Sequence, residues 1–153
     1  RLGTIDCISG GSAVVYDDYG HHPTEIEMTL RALRSAELPK RLICVFQPHQ
    51  HSRTRFLLDQ FAQSFSCADE IIVPHIYFVR DSEAEQHRVS AQDLVDKLIL
   101  QGSAAKHINE FNDIVQHIHN TARDGDLIVI MGAGPVTSIA HALAVGVELP
   151  SEK

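Results

Sequence analysis

A chain of 153 residues with 44% apolar side chains suits one domain around one core. Its formal charge of -7, carried without any lysine or arginine block, argues against a nucleic-acid surface. No apolar run approaches membrane-span length and no signal peptide is read, while Cys7, Cys44 and Cys67 lie in apolar segments and read as buried thiols of a reducing, cytoplasmic compartment rather than disulfides or metal ligands. Gly3 to Ile8 and Ser12 to Asp17, joined at Ser9-Gly10-Gly11, predict an opening hairpin. Pro23-Thr24-Glu25 predicts a helix start, with Thr24 and Glu27 at capping-box spacing and Ile26, Leu30 and Leu33 on one face. Arg41 to Phe46 reads as a buried strand, followed by a helix from Thr54 to about Cys67 with Leu57, Phe61 and Phe65 inward. Glu70 to Pro74 is a further strand, and residues 75 to 89 read as a charged loop carrying both signs. Ser90 and Asp93 cap a helix that buries Leu94, Val95, Leu98 and Ile99 and stops at Gly102. Lys106-His107-Ile108 is a weak strand, and Ile114, Val115 and Ile118 mark another helix. Asp126 to Met131 is the last central strand, with Met131 a core residue at its end, and it leads through Gly132-Ala133-Gly134 to a helix from Pro135 to about Val145.

Strands alternating with helices predict an α/β fold: a Rossmann-like three-layer domain with a mostly parallel sheet, an N-terminal hairpin and helical crossovers on both faces. The pattern leaves strand order open. Ligands of such sheets gather at the carboxyl ends of strands, and two polar islands fall there. The first, Asp17-Asp18-Tyr19-Gly20-His21-His22-Pro23-Thr24-Glu25, packs two acids, a phenol and two imidazoles into one strand-to-helix turn. The second, Phe46-Gln47-Pro48-His49-Gln50-His51-Ser52-Arg53-Thr54, repeats that architecture and adds a guanidinium suited to a carboxylate or phosphate. Each island also has a bland reading: the acids and histidines cap their loops, His51 lies at the surface, and Arg53 pairs with an acid such as Asp59. Two polar loops at neighbouring strand ends favour a binding role over that one. Alternation along the strand sends Asp17 and Asp18 to opposite faces, so they do different work.

Together, Asp17-Asp18-Tyr19-Gly20-His21-His22-Pro23-Thr24-Glu25 and Phe46-Gln47-Pro48-His49-x-x-Ser52-Arg53-Thr54 resemble the C-terminal domain of the Mur ligase family. The second motif resembles the alanine-adding members in particular. Asp124-Gly125-Asp126-Leu127-Ile128-Val129-Ile130-Met131-Gly132-Ala133-Gly134 resembles the last strand and glycine turn of that domain. The likeness is good over residues 12 to 70 and 120 to 145 and thin between, where only Tyr77 remains of a motif usual in the family. Gln50-His51 departs from the usual Arg-aromatic pair, and Met131 and Pro135 replace polar residues usual around the glycine turn. What the resemblance implies is one domain over residues 1 to 153 of a bacterial, ATP-dependent ligase of peptidoglycan biosynthesis, joining L-alanine to UDP-N-acetylmuramate through an acyl phosphate. Tyr19, His21, His49 and Arg53 would surround the incoming amino acid, with Arg53 at its carboxylate. Asp18 would meet the ATP ribose, while Asp17 and His22 hold the loop.

The chain contains no Gly-x-x-x-x-Gly-Lys-Ser/Thr motif, and Gly132-Ala133-Gly134 lacks the spacing of either nucleotide fingerprint. ATP and Mg2+ are therefore expected to be held mainly by a central domain, and UDP by an N-terminal one, both absent here; Arg1-Leu2-Gly3 reads as a start cut from a longer polypeptide. Without them, this domain supplies one half of a cleft, holds no metal, contains no catalytic residue of its own and partners the other domains of its chain, not nucleic acid or membrane. Competing readings are a related Mur-type ligase, a binding module that keeps the ligase fold without ligation, a nicotinamide-dependent oxidoreductase, and a metal-dependent hydrolase using the histidine pairs. His117 and His119 read as surface residues, because alternate helix positions point to different faces.

Overall fold

Apolar alternation sets the layers of the fold. The computed structural model describes residues 1–150, and the last three residues of the expected domain lie outside the described residues. One sheet contains β1 (Gly3–Asp6), β2 (Ser12–Asp18), β3 (Arg41–Phe46), β4 (Glu70–Val73), β5 (Ala105–His107) and β6 (Asp126–Met131), in the spatial order β1-β2-β6-β3-β4-β5. Only the β1–β2 hairpin is antiparallel. Leu42, Cys44, Phe46, Leu127, Val129 and Met131 face one side of the sheet, against α1 (Pro23–Glu37), α3 (Leu58–Gln63) and α5 (Ala91–Leu100). Ile43, Val45, Ile128 and Ile130 face the other, against α6 (Phe111–Thr121) and α7 (Thr137–Val145). This is the expected three-layer α/β arrangement. Two short helices, α2 (His51–Phe56) and α4 (Glu83–Gln86), sit beside the carboxyl edge of the sheet.

β1 ends at Asp6 rather than Ile8 and α7 starts at Thr137 rather than Pro135, and two helix starts differ from the sequence reading for identifiable reasons. His22, not Thr24, caps α1: its Nδ1 accepts the Thr24 N–H at 3.2 Å, and Glu25 Oε1 accepts the His22 N–H at 3.0 Å. Pro23 explains this, since its fixed φ favours the first helical position and puts the cap one residue earlier. The helix expected from Thr54 to Cys67 begins at His51, breaks at Leu57 with φ -105, and ends at Gln63. The break lets consecutive Leu57 and Leu58 both pack on the core. Ser90 and Asp93 form the expected capping box, and Gly102 follows α5 in a left-handed conformation. Cys7 and Cys44 are buried and Cys67 is half-buried, all as free thiols.

Several charges at the amino edge of the sheet are paired. Asp126, 3% exposed, receives a bidentate guanidinium from Arg41 at 2.6 and 3.2 Å and the Arg123 N–H at 2.8 Å. Glu70 lies between Lys106 at 3.2 Å and His117 at 3.3 Å, so His117 is half-buried and partnered rather than free at the surface. Burial opposes ionisation of Glu70, but hydrogen bonds and charge from Lys106 and His117 outweigh it and hold the carboxyl below its usual value. A depressed carboxylate stabilises the fold fully above its unfolded pKa of about 4.3 and loses that contribution as pH falls through the lower folded value. Glu70→Gln is therefore expected to flatten the acid limb of a stability-against-pH curve from urea denaturation, leaving stability low but less dependent on pH below about pH 4.3.

Candidate functional site

Three strands end level at the carboxyl edge. The parallel register sets Asp18 of β2 beside Met131 of β6, and Met131 beside Phe46 of β3. The Gly132 N–H donates to the Asp18 carbonyl at 3.2 Å, and the Gln47 N–H donates to the Met131 carbonyl at 3.0 Å. The two polar islands thus leave not from neighbouring strands, as the sequence reading has it, but from strands separated by β6. They meet over its glycine turn because that turn is small. A Cβ on Gly132 would come within 2.8 Å of Val136, and one on Gly134 within 2.7 Å of the Tyr77 ring.

A row of four rings crosses this turn. Tyr19, exposed at 71%, meets His21 edge-on with centroids 5.6 Å apart; His21 and His49 are 6.0 Å apart, and His49 and Tyr77 5.6 Å. Three of the four residues proposed around a substrate, Tyr19, His21 and His49, are therefore consecutive members of one row. The fourth, Arg53, lies on the first turns of α2, close enough to His49 for its charge to act on that imidazole.

The consecutive acids of the first island divide as alternation requires. Asp17 is exposed and accepts the Thr137 hydroxyl of α7 at 2.5 Å, on one face of the sheet. Asp18 is half-buried and accepts the Gly20 N–H at 2.7 Å and the Thr29 hydroxyl of α1 at 3.4 Å, on the other. Gly20 is required there, since a Cβ would lie 2.6 Å from Asp18 Oδ1 and 3.0 Å from Met131 Cε. Asp17 and His22 hold the loop. Met131 itself is fully buried, as expected of a core residue.

The second island buries polar groups without satisfying all of them. Gln47, 1% exposed, donates to the His75 carbonyl at 3.2 Å, yet its Oε1 finds no partner among the described residues. The Nδ1 atoms of His49 and His51 are likewise buried and unpartnered. His51 is not a surface residue but 7% exposed, set edge-on to Phe78 at 5.9 Å. Burial, then the charges of Arg53, His21 and Arg80, push the His49 pKa down; burial also lowers that of His51 against an opposing pull from Asp81. Asp59 pairs with Lys97 rather than Arg53, and Arg53 makes no ion pair among the described residues.

Residues 75 to 89 are not a free charged loop. Tyr77 forms a parallel bridge with His49, the Ser52 N–H donates to Asp81 Oδ2 at 2.9 Å, and Arg55 forks onto Glu85 at 2.9 and 3.0 Å. Tyr77 and Gln47 gain a place in the site that composition could not assign. The available signal was topological, because consecutive parallel strands β3 and β4 set their following loops side by side. The histidines of the two islands do approach each other, but among the described residues no three His, Cys, Asp or Glu side chains gather as a metal site. No helix among the described residues is long and apolar enough to cross a membrane.

Comparison with known proteins agrees with this geometry. Residues 1–134 match the model of the Mur ligase glutamate ligase domain. The chain is 43% identical over 136 residues to the UDP-N-acetylmuramate–L-alanine ligase of Caldicellulosiruptor saccharolyticus, covering 89% of this chain and 28% of that protein. The chain thus spans little more than a quarter of the length of the curated relatives it matches. In fold it resembles the UDP-N-acetylmuramate-alanine ligase of Thermotoga maritima, with a TM-score of 0.67 at 21% identity over 88% of this chain and 26% of that one. It also resembles a murein peptide ligase of Psychrobacter arcticus, with a TM-score of 0.68 at 24% identity over 99% of this chain and 31% of that one. With a family model spanning most of its length and the ring row in place at the sheet's carboxyl edge, the chain belongs to the Mur ligase family.

Proposed function

We propose that this chain is the C-terminal domain of a cytoplasmic, ATP-dependent ligase that joins L-alanine to UDP-N-acetylmuramate, and that it forms the amino-acid side of the cleft. The observation that carries the reading is the meeting of both islands in one row of rings, with Arg53 near His49 and without an ion pair among the described residues. An amino acid at neutral pH carries a carboxylate and an ammonium. A guanidinium fits the first bidentately, and a neutral imidazole can accept a hydrogen bond from the second. Burial and the charges around it favour the neutral form of His49, so Arg53 and His49 together suit a zwitterion. Tyr19 and His21 extend the wall toward the opposite side of the cleft.

Asp18 is proposed to accept hydroxyls of the ATP ribose. Its two internal hydrogen bonds fix the carboxylate without exhausting its acceptor sites, which number about four. ATP supplies the phosphoryl group that activates the muramyl carboxylate, and its phosphates with Mg2+ would be held outside this chain, which has no phosphate loop. Other domains of the ligase are the proposed partners.

Two substitutions in the complete ligase test the assignments. Arg53→Lys keeps the charge and loses the fork, and is expected to raise the Michaelis constant for L-alanine about tenfold while leaving that for ATP nearly unchanged. Steady-state kinetics with each substrate varied in turn decide it; an unchanged alanine dependence would return Arg53 to a structural role. Asp18→Asn is expected to weaken ATP by about 1.5 to 3 kcal/mol and to erase discrimination between ATP and 2'-deoxy-ATP. Equal nucleotide affinity in parent and variant, with circular dichroism unchanged, would leave Asp18 as a loop-capping acid.

A further inference from the structure

The loop over residues 75 to 89 is bound to the second island by its backbone. The Tyr77 N–H donates to the Pro48 carbonyl at 2.9 Å, the Gln50 N–H donates to the Tyr77 carbonyl at 3.0 Å, and Gln50 Nε2 donates to the Arg80 carbonyl at 3.4 Å. Acids that could neutralise a cation in this loop are already engaged: Asp81 by the Ser52 and Ser82 amides, Glu85 by Arg55 and Arg88. Arg80 is left exposed and without an ion pair among the described residues. Its φ of 49 lies in the left-handed region, which a side chain with a Cβ seldom adopts, so the contacts around it hold it there. Gln50, its anchor, also has a positive φ of 67. Two adjacent segments therefore accept backbone strain at the point where Arg80 is presented. The charge of Arg80 reaches His49, as does that of Arg53. Both charges act on one imidazole, neither guanidinium has an ion pair among the described residues, and an incoming anion would offset them.

We propose that Arg80 is a second guanidinium for the carboxylate of the acceptor amino acid, presented by Gln50 from the loop after β4 and opposed to Arg53 on the helix after β3. The inference rests on the proposed function above. A carboxylate offers two oxygens and about four acceptor directions, enough for two guanidinium groups approaching from different elements. One cation then comes from each of two chain segments, so an amino acid is clamped rather than merely attracted.

Arg80→Gly in the complete ligase removes the charge while suiting the left-handed backbone, and Arg80→Asn, which also tolerates that conformation, serves as a second variant should the glycine loosen the loop. The Michaelis constant for L-alanine is expected to rise about tenfold in both, with those for ATP and UDP-N-acetylmuramate within about twofold of the parent. Arg80→Lys is expected to give an intermediate rise. In NMR titrations of the same proteins, the His49 imidazole is expected to titrate at higher pH once the Arg80 charge is gone. An alanine constant that responds to Arg53→Lys but not to either neutral Arg80 variant would overturn this inference alone. Indifference to both positions would overturn the proposed function as well, and a rise in the ATP constant instead would assign Arg80 to phosphate.

Discussion

The parallel register that ends β2, β6 and β3 level is the constraint on which the site depends. Side chains leaving Asp18, Met131 and Phe46 start from one line across the sheet, and hydrogen bonds from Gly132 and Gln47 carry the ladder one step past the strands. A shift of a single residue in β2 would exchange Asp17 and Asp18 between the α7 and α1 faces. It would also lift His21 away from His49. Because β6 is buried on both faces and hydrogen-bonded on both edges, it cannot slide, and both loops inherit its position.

Charge is distributed differently at the two ends of the sheet. At the amino edge four cations have acids: Arg41 with Asp126, Arg34 with Asp69, Lys40 with Asp124, Lys106 with Glu70. Those pairs close the fold. At the carboxyl edge Arg53 and Arg80 stand without ion pairs among the described residues, in a chain whose formal charge is -7. Two such guanidinia near one row of rings are the charge on which the proposed carboxylate site rests.

Much of this was legible in the sequence, and the exceptions have physical causes. Strand and helix positions followed from apolar period, and the two islands from polar residues at strand ends. The division of labour between Asp17 and Asp18 followed from alternation alone. Strand order did not, because β6 enters the middle of the sheet from the far end of the chain, and no local pattern reports that. The same gap hid Tyr77 and Arg80: their loop reads as polar and charged, and only its docking against Pro48 and Gln50 gives it a role. The alternative that His51 lies at the surface fails in part through the same loop, where Phe78 meets its ring. Thr24 lost the helix cap to His22 because a proline at the first helical position outweighs a favourable residue type one place later.

The contact between Gly134 and the Tyr77 ring has a consequence for how such a domain can diverge. A Cβ at position 134 would overlap the ring, so the turn after β6 and the loop after β4 share one volume. Position 134 cannot gain a side chain while the ring stays where it is. A larger residue in the glycine turn requires a smaller or displaced side chain at 77, which removes the ring packed on His49 while the backbone bridge can remain. What position 134 carries thereby limits what position 77 can carry, while Asp81 and Glu85 farther along the loop answer to Ser52 and Arg55 instead.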